Sequence, residues 1–430
     1  YGTPWERYPH PKLEAIWYTP EGVGQFIYCH QMLAAVAEAQ EQVLPEFKVG
    51  TAEAIRRVTI RPRRILEIQH EGENHQLRAF LKHVQEEMVE NGDGEYTPWV
   101  HLMLTSFDLQ DPATVLQLIL SSEILTDDLG HLTAVLRRLS IDYKYTLMMG
   151  HTHGIQAKPI TFGKKCLGWL DMIERAVEQM KKAREDIAVG KVSGAVGIYA
   201  QDPRVEEIAC AIVGLRPARV STQILPRDLF ADFFHHLTLI MGRLNYIATS
   251  IRLAQQTERR ELEEPFKSTG SSAMPHKRNA EVCEKIKGLE QTVRNLMGAL
   301  YETDTWDERS LEQSSKERLI FASMMVLTGH STRALTEVLE GLKVNEDRML
   351  ANIHLTNGAI FAEDVKTALQ EKGLPQNLAY ELVKGPAQSA YEDQGNLIDN
   401  CLAVPEIAAV MSREELEGVC RPEAALTYID

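Results

Sequence analysis

Apolar residues recur at intervals of three and four along most of the chain, and alternation at intervals of two is nearly absent. The pattern predicts helices throughout, with strands at most a minor component. A first helix is expected over 22–42, after the breakers Pro20 and Gly22, and a second over 65–88, carrying His70 and His75. Much longer segments follow. Asp111 and Pro112 read as a cap and a first-turn proline opening a helix over 111–139, whose stripe includes Leu116, Ile119, Leu120, Leu129, Leu132 and Leu136. The next run is 160–189. The third, 227–264, holds Phe233, Leu237, Ile240, Leu244, Ile247 and Ile251 on one stripe, and its roughly 37 residues would span about 55 Å. The fourth and fifth are 281–300 and 311–342.

Helices of this length have stripes that one small core cannot bury, so an extended bundle is predicted, packed between subunits as well. Beyond Val344 the segments shorten and Gly358, Gly373, Pro375, Gly385 and Pro386 interrupt them. The expected organisation is an N-terminal helical domain over 1–102, a central long-helix bundle over 103–343 and a small helical domain over 344–430.

Composition narrows the function. The 430 residues can bury a large core, and 44% apolar with 25% charged residues is ordinary for a globular protein. A net charge of −15 argues against a nucleic-acid partner, which needs a basic face, but leaves room for local cations around a small anion. The six cysteines form no CxxC pair, so neither a zinc site nor a disulfide framework is expected, and a reducing cytoplasm fits. No run of 18 apolar residues occurs, so no membrane partner is expected. The chain opens on Tyr1, and residues are expected upstream of it.

The candidate chemistry gathers at helix ends. The stretch 267–285, KSTGSSAMPHKRNAEVCEK, sets Ser268, Thr269 and Gly270, two serines, and the cations His276, Lys277 and Arg278 ahead of the helix at 281. Such a stretch is often a solvated connector, but small hinge residues, hydroxyls and cations before a helix N-terminus also suit an anionic substrate. His101, Thr105 and Ser106 precede the first long helix. His151 and His153 precede the second, STQILPRD at 221–228 precedes the third, and WDERSLEQSSKER at 306–318 lies between the last two. His151 and His153 lack a carboxylate at ligand spacing, so no metal is expected. Thr105 and Ser106 could serve only as caps, and Arg309, Arg318 and His75 only as surface groups.

The string GSSAMPHKRN resembles the signature loop of the fumarase/aspartase superfamily, in which Gly270, Ser271, Met274, Lys277 and Asn279 fill the pattern without a gap. Over nearly the whole chain the motifs are most similar to those of the adenylosuccinate lyase family. The resemblance implies an all-α, three-domain fold with a central long-helix bundle, a homotetramer with shared active sites, and no cofactor. It implies a C–N lyase acting on a succinylated purine nucleotide. Ser271 would be the general base and His153 the general acid, with Glu284 orienting His153 and with His75 and Lys277 completing the catalytic set. Substrate contacts would come from Arg7, Tyr8, His101, Thr105, Ser106, Thr152, Gln223, Ser272, Met274 and Asn279, and the phosphate would fall to Arg309, Ser314 and Arg318. The chain departs from the family pattern at Gln76, His151, Met103, Phe107, Pro112 and Ala280. Two other readings remain at this level: a superfamily lyase or cycloisomerase acting on a different succinyl-amine or carboxylate, and a non-catalytic structural oligomer.

Overall fold

The computed structural model describes residues 4–19, 22–265, 274 and 276–429. Its principal helices are α1 (Gln25–Val43), α2 (Pro62–His70), α3 (Gln76–Glu90), α4 (Phe107–Asp142), α5 (Phe162–Ile187), α6 (Arg227–Gln255), α7 (Glu281–Leu300) and α8 (Leu311–Glu340). The longest strands are β1 (Leu147–Thr152) and β2 (Ile155–Thr161), an antiparallel hairpin; the others among the described residues have two residues each. The fold is all-α in class, and the five long helices fall where the apolar stripes place them.

Element ends differ from the sequence expectation for identifiable reasons. The helix expected over 65–88 is two helices. Gly72 sits at φ 120°, a backbone conformation open to glycine, and the amides of Gly72 and Glu73 return to the carbonyls of Gln69 and Ile68, which closes α2. His75 then caps α3, its Nδ1 accepting from the Arg78 amide at 3.4 Å. Helix α4 begins at Phe107 rather than Asp111, so Pro112 lies inside the helix and forgoes one helical hydrogen bond. Asp111 is no cap; it is buried. Residues 160 and 161 belong to β2, and α5 starts one position later. Helix α6 stops at Gln255, where the apolar stripe gives way to the charged run 258–261, and Arg260 turns the chain at φ 51°.

The chain divides into two compact units. Unit 1 comprises 1–131, 173–245 and 285–334. Its core includes stacked rings: Phe321 of α8 lies 4.5 Å from Phe234 and 5.5 Å from Phe230 of α6, and Phe26 of α1 lies 5.7 Å from Phe80 of α3. The N-terminal segment is tied to α4 by Trp17 Nε1 donating to Ser121 Oγ at 3.0 Å and Gln117 Nε2 donating to the Ile16 carbonyl at 2.9 Å.

Unit 2 comprises 132–172, 246–284 and 335–430. A cluster of Met149, Ile353, Phe361, Val365, Leu369 and Leu397 forms a core of its own, joining the hairpin to the C-terminal helices. Lys158 of β2 reaches Asp364 at 2.7 Å. Among the described residues no helix is long and apolar enough to cross a membrane.

Candidate active site

In unit 1 the predicted residues gather around the entry to α4. His101 and Met103 both have positive φ, 63° and 61°, a conformation that costs non-glycine residues on the order of 1–3 kcal/mol and persists where the surroundings impose it. The imidazole of His101 is largely buried and its Nε2 has no hydrogen-bond partner among the described residues. Burial holds His101 below its ordinary pKa, the Asp108 carboxylate opposes this, and nearby His75 pushes the same way as burial. Ser106 opens α4 through its carbonyl, which accepts from the Gln110 amide at 3.1 Å.

Asp108 organises this corner. One oxygen accepts from the Thr105 amide at 2.8 Å; the other accepts from the Gly194 amide at 3.2 Å and pairs with Lys191. Both members of that ion pair are fully buried. Thr105 is therefore fixed from its backbone while its hydroxyl faces Gln223, whose Nε2 lies 3.4 Å away. Arg309 Nη1 in turn donates to Gln223 Oε1 at 3.2 Å, and its guanidinium lies 4.2 Å from the centre of the Phe107 ring. Burial lowers Arg309 from its ordinary value and the Asp111 carboxylate opposes that. Three residues from distant parts of the sequence thus form one polar chain.

Phe107 also lines a cleft of about 180 Å³, together with Gln76, Asp111, Ser314, Glu317 and Arg318. Beneath it lies a buried charge cluster. Arg227 Nη2 holds both oxygens of Asp111, at 2.8 and 2.9 Å, and Leu225 donates its amide to the same carboxylate at 2.7 Å. Glu317 Oε1 stands 3.4 Å from Arg227 Nε, and its Oε2 accepts from Gln313 at 2.9 Å. Tyr8 packs edge-on against His330 at 5.5 Å and Arg7 is exposed; neither lines the cleft.

Unit 2 carries the remaining residues. His153 and Gly154 form the hairpin turn with φ 54° and 83°, so the turn itself presents His153, which is exposed beside Thr152. His151 points back into the unit: its Nδ1 lies 3.1 Å from the Met149 carbonyl and 3.2 Å from Arg259 Nη2. Burial and then the Arg259 charge hold His151 below its ordinary pKa. A broad depression of about 1170 Å³ is lined by Lys277, Asn279, His276, Arg252 and Glu284, with Met274 exposed nearby in sequence. It presents cations around the end of the signature stretch, the charge an anionic substrate would meet. Glu284 pairs with Arg252 at 3.3 Å, not with His153. Ser271 and Ser272 lie outside the described residues.

Unit 1 therefore joins Thr105, Gln223 and Arg309 directly and sets Ser314 and Arg318 on one cleft. Sequence reasoning missed Asp108, Lys191, Arg227 and Glu317. A usable signal was there: Asp108 and Asp111 share a helix face without Lys or Arg three or four places away, so both needed partners from elsewhere.

Comparison with known proteins gives a consistent answer. The family model described as lyase matches residues 16–295, and that described as adenylosuccinate lyase C-terminus matches 358–430. The chain is 36% identical over 431 residues to the adenylosuccinate lyase of Synechocystis sp., covering 99% of this chain and 97% of the relative. It is 34% identical over 429 residues to that of Thermotoga maritima, with 99% and 97% covered. Among solved structures it resembles 3-carboxy-cis,cis-muconate lactonizing enzyme from Pseudomonas putida, with TM-score 0.88, 25% identity and 100% and 96% coverage. Fumarate lyase from Mesorhizobium sp. BNC1 superposes with TM-score 0.87 at 23% identity, covering 97% and 95%, and speaks to the fold alone.

Proposed function

We propose that this chain, which belongs to the adenylosuccinate lyase family, cleaves the C–N bond of adenylosuccinate by β-elimination to give fumarate and AMP. The same reading extends it to succinylaminoimidazole carboxamide ribotide, releasing fumarate and aminoimidazole carboxamide ribotide. The structural observation that carries it is the Thr105–Gln223–Arg309 chain beside a cleft bearing Ser314 and Arg318, an arrangement suited to a phosphorylated anion.

The elimination removes a proton from carbon next to a carboxylate, which is a very weak acid. Ser271, as its alkoxide, takes that proton on Oγ, the electron pair forms the C=C bond of fumarate, and the C–N bond breaks. His153 supplies the proton to the departing nitrogen. Lys277, Asn279, Thr105 and Ser106 stabilise the dianionic carboxylate that develops, the largest electrostatic demand of the reaction. Glu284, which pairs with Arg252 within this chain, would orient the His153 of another subunit in a shared site, and His75 supports the anionic end of the substrate. His101, Thr152, Ser272 and Met274 line the substrate, while Arg7 and Tyr8 contact the nucleotide.

A homotetramer with shared sites belongs to the proposal, as do the three domains 1–102, 103–343 and 344–430. The exposed Leu167, Leu239, Tyr246, Leu253 and Leu319 on the long helices support an assembly that covers them. A cytoplasmic location is supported by six unpaired cysteines, five of them buried. The test is to mix the purified protein with adenylosuccinate and measure AMP and fumarate together. Equal amounts of both are expected. A folded protein that leaves adenylosuccinate intact but eliminates another succinyl-amine would transfer the reading to that substrate.

A second expectation concerns recognition. Arg309 uses its planar fork on Gln223 and its face on Phe107, which a lysine ammonium cannot do at once. Arg309→Lys is expected to raise KM for adenylosuccinate about tenfold, a loss of roughly 1.4 kcal/mol in binding, with a smaller change in kcat. Steady-state kinetics on the variant decide it.

A further inference from the structure

We propose that Glu317 is a positioning residue that makes anion binding in the unit 1 cleft depend on proton uptake, with the neutral carboxyl as the binding-competent form. The inference rests on the reading of Ser314, Arg309 and Arg318 as the phosphate-binding group. Nothing in that reading assigns a role to Glu317.

Glu317 competes with a second carboxylate for its ion-pair partner. Glu317 lies one turn beyond Ser314 on α8 and next to Arg318, and all three line the same cleft. A carboxylate there faces the space in which a phosphate dianion would sit. Among the described residues its nearest ion-pair cation is Arg227, whose Nη2 is held by both oxygens of Asp111, while Glu317 has only the longer 3.4 Å approach to Nε, too long to satisfy that N–H. Asp111 also receives the Leu225 amide, whereas Glu317 receives the neutral amide of Gln313. The side chains of Asp111, Arg227 and Glu317 are 4%, 5% and 12% exposed, so water screens little of this competition. Two carboxylates share one guanidinium, and Glu317 is the one left short.

The charged groups around Glu317 are Arg227 from α6, Asp111 from α4, and Lys316 and Arg318 from its own helix, with Arg309 close enough to Asp111, Arg227 and Arg318 to interact with them; Tyr18 lines the same cleft. Burial is the largest influence and pushes the Glu317 carboxyl up to about 7, Asp111 adding to it, while Arg227, Gln313 and Lys316 act the other way. The group therefore changes charge near neutral pH. When it is ionised, the wall of the cleft repels an incoming phosphate. Once neutral, it removes that repulsion and gains an O–H that can donate to a phosphate oxygen.

The test compares the wild type with Glu317→Gln, a permanently neutral analogue, across pH 6.5–8.5. If only the neutral form binds, the apparent KM of the wild type rises by up to about 25-fold over this range, in proportion to the falling neutral fraction. Ionisation of the substrate affects both proteins alike, so the ratio of the two KM values isolates Glu317. That ratio is expected to grow with pH, with E317Q the tighter binder at pH 8.5. A constant ratio overturns the proposal.

Stability supplies an independent arm. A folded-state value above the ordinary 4.5 means that the folded protein holds a proton the unfolded chain has released. Stability from this group is greatest below 4.5, falls as pH rises to about 7, and stays reduced above it. E317Q lacks this penalty, so its Tm at pH 8.5 should equal or exceed that of the wild type. If Glu317 is simply an ion-pair partner of Arg227, E317Q melts lower at pH 8.5, and the proposal falls.

If the wild type does not act on adenylosuccinate, the functional reading fails on its own. The proposal is then decided with sulfate, which stays dianionic throughout the range. Stabilisation of the wild type by sulfate that fades with pH, and of E317Q that does not, supports it. Identical pH dependence in both, or no sulfate stabilisation of either, overturns it.

Discussion

Ser271→Ala is expected to lower kcat by about 10²–10⁴-fold while leaving KM and Tm close to those of the wild type. A hydroxyl is a feeble base in water, and the expectation depends on what surrounds it. Lys277, Arg278 and His276 follow it within seven residues, and the described part of that stretch lines a depression that also contains Arg252 and Arg260. Cations of this density stabilise an alkoxide. Ala at this position removes the proton acceptor without removing any cation, so binding should survive and turnover should not. The measurement is steady-state kinetics beside a melting curve. Near-normal kcat in Ser271→Ala would transfer the base to Ser272, which a Ser272→Ala variant would then reveal.

The division between what the sequence makes legible and what it hides follows from range. Helix α7 is readable to the residue, because EVCEKIKGL begins an uninterrupted stripe just after a proline and glycine stretch. The turn at Gly72 leaves a signal that a single helix over 65–88 overrides: residues 69–76 carry no apolar side chain, so the stripe is broken there. The hairpin carrying His153 is hidden for a different reason. Its strands show no clean alternation, with burial intermediate along most of β2, so period-2 reasoning has nothing to detect. The short motifs name Thr105, Gln223 and Arg309 individually, yet only folding joins residues separated by 118 and 86 positions into one chain of contacts. Charge neutralisation is the least legible feature. A buried carboxylate looks like any surface aspartate until its partner arrives from far along the chain, as Lys191 does for Asp108 and Arg227 for Asp111.

That hidden ion pair yields the largest expected effect on stability. Lys191→Ala should destabilise the protein by about 3–5 kcal/mol, because it leaves the fully buried Asp108 carboxylate without its cation. The neighbouring amides of Thr105 and Gly194 would still donate to Asp108, but hydrogen bonds alone do not balance a charge removed from water. The adjoining loop has its own brace, since Glu206 accepts from the Val192 amide at 2.5 Å and from the Tyr199 hydroxyl at 2.8 Å. The loss should therefore concentrate at Asp108 rather than unravel the whole segment. Pairing the change with a neutral partner, as in Asp108→Asn with Lys191→Met, removes both charges and should recover much of the stability. Denaturant unfolding of the single and double variants separates the cases: equal losses in both would mean that the ammonium's hydrogen bonds to Asp108 and the Gly194 carbonyl, rather than the balance of charge, hold this corner. The double variant should still bind and turn over substrate less well than the wild type, because asparagine holds the Thr105 amide through a weaker, uncharged acceptor and Thr105 is the residue that meets Gln223.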